Sequence, residues 1–156
     1  KASSQGVEVE FKYYVTPNLK LQGNIAWMDT EYDEFARGSV DYAGTPLRFS
    51  PEWTGSLGVD YTVQLAELGE LRTFVNYSYK DDHLLSETYG ESSYSLLSAR
   101  VSFYSLDGAW EVSMFGNNLT DESYLSNYVE QMNGFGFTSA NRNEPRTYGA
   151  ELTYNF

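Results

Sequence analysis

The chain has no cysteine, a single histidine and few basic residues, and each shortage removes a class of protein. Without cysteine there is neither a disulfide framework nor a thiolate metal site. Ten Lys and Arg against 22 Asp and Glu leave a formal charge of −12 over 156 residues. Nucleic-acid binding rests on clustered cations that neutralise phosphate, so a nucleic-acid partner is effectively ruled out. No apolar run approaches the roughly 18 residues of a membrane-crossing helix, and no segment has convincing helical periodicity. The negative mean hydropathy does not exclude a membrane barrel, whose strands alternate lipid-facing and lumen-facing residues and so average to a polar value. No secretory leader opens the chain at Lys1-Ala2-Ser3-Ser4-Gln5, and the expectation is that a preceding segment is missing.

What the chain has in quantity is aromatic side chains, 17 % of residues with 14 Tyr among them. Tyr and Trp join an apolar ring to a polar tip, which suits strands and water–lipid interfaces. The length is that of one domain. Seven segments alternate with period 2, which predicts seven strands. They run Gly6–Val15, Leu19–Met28, Trp53–Val63, Leu71–Lys80, Leu96–Tyr104, Trp110–Asn117 and Thr147–Phe156. In the first, Val7, Val9, Phe11, Tyr13 and Val15 oppose Glu8, Glu10, Lys12 and Tyr14. In the third, Trp53, Leu57, Val59, Tyr61 and Val63 oppose Thr54, Ser56, Asp60 and Thr62. Every charge within the seven falls on the polar side, with Leu96 and Tyr104 as apolar exceptions there.

Two different solvents would demand this partition, since Lys or Arg facing mid-bilayer costs about 2–4 kcal/mol. A soluble sheet packed on a core would show the same alternation. The connections separate the two readings further. Those after the first, third and fifth strands are short: Thr16-Pro17-Asn18, a stretch around Gln64 to Glu70, and Ser105-Leu106-Asp107-Gly108. Those after the second, fourth and sixth are long: Asp29 to about Glu52, Asp81 to about Ser95, and Asn118 to about Arg146. Structureless loops beyond about 12–15 residues are uncommon in compact soluble domains. Short turns at one end and long loops at the other are the layout of outer-membrane barrels. No amphipathic helix or second set of strands is available to cover the apolar face. Lipid or inward closure of a small barrel must do so, and since bacterial barrels have even strand numbers, seven strands read as part of one.

Several motifs carry a resemblance: Gly6-Val7-Glu8-Val9-Glu10, Gly44-Thr45-Pro46-Leu47-Arg48-Phe49-Ser50-Pro51-Glu52-Trp53, Asn117-Asn118-Leu119-Thr120-Asp121-Glu122-Ser123-Tyr124 and Pro145-Arg146-Thr147-Tyr148-Gly149. In order and spacing the chain resembles the C-terminal part of the β-barrel of TonB-dependent outer-membrane receptors, over essentially its whole length. The resemblance implies an all-β, antiparallel up-and-down transmembrane barrel of 22 strands, of which residues 1–156 would form the last seven. It implies an outer-membrane location in a Gram-negative bacterium and TonB-powered import of a scarce nutrient, without covalent chemistry or a cofactor. The implied partners are outer-membrane lipid and lipopolysaccharide, the remaining strands and plug, the TonB complex through an absent N-terminal region, and the barrel assembly machinery. The cargo, whether siderophore, other metal chelate, vitamin or oligosaccharide, is not legible.

The terminal run resembles the signal read by that assembly machinery, with Thr147, Gly149, Leu152, Tyr154 and Phe156 in its positions. An ordinary amphipathic strand ending in Phe is the structural alternative. Aromatic and apolar residues expected at the lipid or its interface are Phe11, Tyr13, Trp27, Trp53, Tyr61, Tyr77, Phe103 and Trp110. Pro46 and Pro51 fit a chain descending into a strand, where missing N–H donors cost little. Gly116 to Tyr124 suits a strand end turning into a loop.

The long loops mix acids with rings: Asp29, Glu31, Tyr32, Asp33, Glu34 and Phe35; Asp81, Asp82, Glu87, Tyr89 and Glu91; Asp121, Glu122, Tyr124, Tyr128 and Glu130. Their rings could stack on a ligand, or the acids could simply solvate surface loops, with divalent cations bridging to lipopolysaccharide. Carboxylates between Asp29 and Glu34 are of the type that holds calcium, though without EF-hand spacing. Gly134-Phe135-Gly136-Phe137 reads as a loop tip. His83, with Asp81, Asp82 and Ser86 nearby, invites a hydrolase reading that needs base, carboxylate and nucleophile to converge. An exposed loop histidine is the plainer expectation. The competing whole-chain readings are a soluble β-sheet binding module and an outer-membrane barrel hydrolase.

Overall fold

The computed structural model describes residues 1–130 and 136–156. β1 (Ser3–Thr16) and β2 (Leu19–Glu31) are followed by a small hairpin, β3 (Ala36–Arg37) and β4 (Val40–Asp41). β5 (Trp53–Gln64) and β6 (Gly69–Lys80) lead to a second, β7 (His83–Leu84) and β8 (Gly90–Glu91). β9 (Tyr94–Ser105) and β10 (Trp110–Asn117) lead to a third, β11 (Leu125–Glu130) and β12 (Thr138–Arg142), before β13 (Thr147–Tyr154). The seven long strands form one antiparallel sheet in the order β1-β2-β5-β6-β9-β10-β13, an up-and-down meander open at both edges among the described residues. The seven expected strands and their faces are therefore present. The long connections differ from expectation, because each carries its own two-stranded hairpin.

Register keeps the two faces separate across the whole sheet. Directly opposed residues of an antiparallel pair share a face, and Tyr13, Leu21, Val59, Val75, Ala99, Gly116 and Tyr148 form one unbroken row across all seven strands. This row starts near the short-turn end of β1 and finishes near the long-loop end of β13. Such a stagger is what tilted strands in a barrel wall require. The opposite face carries the charges and pairs them: Lys20 with Asp60 at 2.7 Å, Arg72 with Glu70, and Arg100 with Glu151.

The charge-free face has a defined height. On β5, Trp53 and Tyr61 share it eight residues apart, about 27 Å along the strand or roughly 20 Å along the normal at a 40° tilt. Between them lie only Gly55, Leu57 and Val59 on that face. The next positions on this face of β2 beyond Trp27 are Asp29 and Glu31, so charge returns just above the aromatic level. β1 and β2 consequently run past the expected Gly6 and Met28, as a polar ribbon above the apolar band.

Short turns close the other end. Pro17 and Asn18 link β1 to β2, and Asn18 N–H donates to Thr16 Oγ1 at 3.2 Å. Between β9 and β10, Asp107 Oδ1 accepts from Ser105 Oγ at 2.6 Å and from Ala109 N–H at 3.0 Å, with Gly108 at φ 71°. No second layer covers the sheet among the described residues. Among the described residues the one large apolar side chain that is fully buried, Leu85 at 1 % exposure, belongs to a loop.

Candidate functional site

The three long connections rise from the same end of the sheet, and their hairpins touch. Phe49 N–H donates to the Leu84 carbonyl at 2.7 Å, tying the first connection to the second. Leu125 N–H donates to Glu91 Oε2 at 3.0 Å, tying the third to the second. Rings reinforce the second tie: Tyr94 stacks on Tyr124 at 3.7 Å and 10°, and Tyr89 on Tyr128 at 4.4 Å and 19°. In the first connection Phe35 packs between Tyr32 and Tyr42. Much of the aromatic content expected to meet a ligand thus braces the loops against each other. Tyr89 loses hydration in this stack and neighbours the Glu91 carboxylate, which together raise its hydroxyl pKa.

Asn118 organises the root of the third connection. It sits at φ 48° just past β10, where asparagine tolerates the left-handed region. Its Nδ2 donates to the Glu122 and Glu144 carbonyls at 2.8 and 3.2 Å, while its Oδ1 accepts from Glu122 N–H at 2.9 Å. Asn143 adds a second bracket, accepting from Tyr124 N–H at 3.0 Å and donating to the Glu122 carbonyl at 2.9 Å. The strand-end reading of Gly116 to Tyr124 holds, and these hydrogen bonds are its physical content.

Several recesses lie among the connections. One, of about 350 Å³, is lined by Asp29, Glu52, Asp81, Asp82 and His83 with Met28, Thr30 and Pro46. A second, of about 470 Å³, lies between the three hairpins and is lined by Arg37, Tyr42, Arg48, Phe49, Glu87 and Tyr128 among others. Its charges centre on Glu87, whose side chain is 12 % exposed and lies 3.7 Å from Arg37 and 3.8 Å from Arg48. Sequence reading placed Glu87 among solvating acids and did not single out either arginine. They are 50 and 39 positions from it, and no local pattern could have joined them.

Two expectations do not survive the geometry. The carboxylates from Asp29 to Glu34 do not converge on a cation. Asp29 accepts from Gln5 Nε2 at 3.1 Å, Asp33 from the Ser3 hydroxyl at 3.2 Å, and Glu34 pairs with Lys1 at 2.8 Å. The extended chain spaces these acids along β2 and beyond its end, and each is taken by a different partner. Among the described residues no group of three or more His, Asp or Glu has metal-holding geometry. His83 is also not an exposed loop histidine but is 8 % exposed, with Nδ1 3.0 Å from the Asp81 carbonyl. Ser86 Oγ accepts from the Thr88 and Tyr89 amides at 3.2 and 3.0 Å. The Asp81 carboxylate accepts from the Tyr79 hydroxyl and the Asp82 amide rather than from the His83 ring, and no hydrogen bond joins His83 to Ser86 among the described residues, so the hydrolase constellation does not assemble. Gly134 and Phe135 lie outside the described residues; Gly136 adopts φ 71° and Phe137 is exposed.

Phe11, Tyr13, Trp27, Trp53, Tyr61, Tyr77, Phe103 and Trp110 all fall on the charge-free face by register. Of these, Trp27 and Phe103 are half-buried and the others exposed. On the edge strand β13, Thr147 and Gly149 take the polar face while Leu152 and Tyr154 take the other, Tyr154 lying 4.6 Å from Trp110. Phe156 follows the strand, its ring edge-on to Tyr154 at 5.6 Å.

Solved structures share this architecture. The ferric yersiniabactin uptake receptor FyuA from Yersinia pestis matches over 99 % of the chain with a TM-score of 0.83 at 18 % identity. BauA, the ferric preacinetobactin receptor from Acinetobacter baumannii, matches over 99 % with a TM-score of 0.71 at 22 % identity. The chain spans 24 % and 22 % of their lengths, about a quarter of each. Residues 1–119 match the family model described as TonB dependent receptor-like, beta-barrel, and the chain belongs to that family.

Proposed function

We propose that residues 1–156 are the C-terminal section of the 22-stranded barrel of a Gram-negative outer-membrane receptor, which binds a scarce nutrient and imports it with energy from the TonB complex. The observation that carries this reading is the continuous charge-free face, held in register over seven strands and open to its surroundings. A soluble binding module would have to bury that face on itself, and among the described residues no layer lies over it. Lipid and lipopolysaccharide would meet this face. Plug and earlier strands would meet the ion-paired face and the two open edges. β13, an edge strand with strict alternation, would be the segment read by the barrel assembly machinery.

Ferric chelates are the first cargo to test, because the chain resembles a ferric yersiniabactin uptake receptor and a ferric preacinetobactin receptor. The full-length receptor should be produced in an iron-starved Gram-negative host lacking its own ferric-siderophore receptors. Fractionation should place it in the outer membrane, and growth on a supplied ferric chelate should require both the receptor and TonB. Recovery in the soluble fraction, or growth that persists without TonB, would count against the proposal.

A further inference from the structure

The recess between the hairpins stands out from its electrostatic setting. The connections 29–52, 81–93 and 118–146 contain fourteen acidic residues against four arginines, so most anions approaching this end are repelled. Arg142 donates to Ser123 Oγ at 2.7 Å and Arg146 lies 3.6 Å from Asp121. The other two arginines, Arg37 and Arg48, both flank the recess. Their approach to Glu87, at 3.7 and 3.8 Å, is close enough for Coulomb attraction and too long for a hydrogen bond. Neither guanidinium donates a side-chain hydrogen bond among the described residues. Each therefore keeps a planar fork of N–H donors of the kind that matches an oxyanion. Glu87 is the least exposed of the three, and Tyr42, Phe49 and Tyr128 supply rings around them.

We propose that this recess is a subsite for an anionic, ring-bearing ligand, in which Arg37 and Arg48 receive the ligand's oxyanion and Glu87 is the internal carboxylate that this oxyanion displaces. Two cations sharing one distant carboxylate form a weak contact, and a ligand that brings shorter, bidentate contacts replaces it. Glu87 lies in the loop of the β7–β8 hairpin, so displacement also removes one of the contacts between this hairpin and the first connection, leaving the Phe49–Leu84 hydrogen bond in place. The inference rests on the receptor reading for its biological meaning, while the subsite itself is testable by binding alone.

The test is equilibrium binding to the purified full-length receptor in detergent, without TonB. The probes are the trianionic ferric complex of a hexadentate tris-catechol and the neutral ferric complex of a cyclic trihydroxamate. Replacing both arginines, Arg37→Gln with Arg48→Gln, should weaken the anionic complex by roughly tenfold or more. Glu87→Gln should tighten it several-fold, and both effects should shrink as salt is raised. If the double variant fails to fold, Glu87→Gln alone decides, since a merely structural carboxylate would give weaker binding when neutralised. Failure of the unsubstituted receptor to bind the anionic complex, or its preference for the neutral one, would overturn the subsite. So would equal weakening of both complexes in the double variant. Specific anion binding without TonB-dependent uptake in cells would leave the subsite standing and overturn the transport reading instead.

Discussion

Gly69, the first residue of β6, and Gly108, in the β9–β10 turn, both adopt positive φ, yet they differ in what surrounds them. At Gly108 (φ 71°) an added Cβ meets nothing within 4 Å, whereas at Gly69 (φ 138°) it would lie 2.0 Å from the Tyr104 carbonyl oxygen. Gly108→Ala should therefore cost only the left-handed backbone penalty, about 1–2 kcal/mol. Gly69→Ala should cost more, roughly 3 kcal/mol or above, because the β6–β9 pairing must also shift. Urea unfolding of the intact receptor in micelles would rank them, and equal losses would contradict the steric account. A second pair of neighbours tests the two faces. Val75 sits in the charge-free row and Asn76 on the ion-paired side. Val75→Arg should destabilise the membrane-inserted barrel by about 2–4 kcal/mol and Asn76→Arg by much less. Similar costs at both positions would mean that the faces do not meet different solvents.

The β9–β10 turn shows how a side chain can write pH dependence into an element. The Ser105 hydroxyl, and then the Ala109 amide, hold the Asp107 carboxyl below its ordinary range. A depressed folded pKa means that this contribution is present above the unfolded value, near 3.9, and fades as pH falls through the lower folded value. The gap in unfolding midpoint between the unsubstituted receptor and Asp107→Asn should thus be constant near neutrality and shrink as pH is lowered below about 4. A gap independent of pH would remove the carboxylate from the account. At this scale the sequence was legible wherever alternation lasted eight residues or more. Period 2 gave all seven sheet strands and their faces, because antiparallel pairing preserves parity from Tyr13 to Tyr148. It could not show β3–β4 and β7–β8, whose strands are two residues long. The Glu87 contacts with Arg37 and Arg48 were invisible for a related reason. They arise from hairpins that meet through space, and only the sheet beneath brings the hairpins together. The expected acid cluster at Asp29 to Glu34 failed because β2 continues to Glu31 and stretches the segment out, so that Asp29, Asp33 and Glu34 each meet a different partner on β1 or at Lys1.

Taken whole, the molecule exposes far more surface than its mass allows a water-soluble domain. A compact monomer of 17.7 kDa should present about 8,000 Å². This one presents 10587 Å². The excess is roughly a third, and its most apolar part is one side of a sheet: Val7, Phe11, Ile25, Leu57, Tyr77, Met114 and Leu152 are all exposed on the charge-free face. The edges add to the problem, because β1 and β13 each offer a row of unpaired backbone groups to any strand that approaches. Neither feature is balanced among the described residues, so water is a poor solvent for this sheet and its own copies are the nearest substitute. Residues 1–156 produced alone should associate in aqueous buffer and disperse in detergent with strand content retained. Sedimentation velocity with circular dichroism in both media measures this. A monodisperse, stably folded monomer in plain buffer would require the charge-free face to find cover within the chain. The seven-stranded register would then have to be abandoned, and the membrane reading with it.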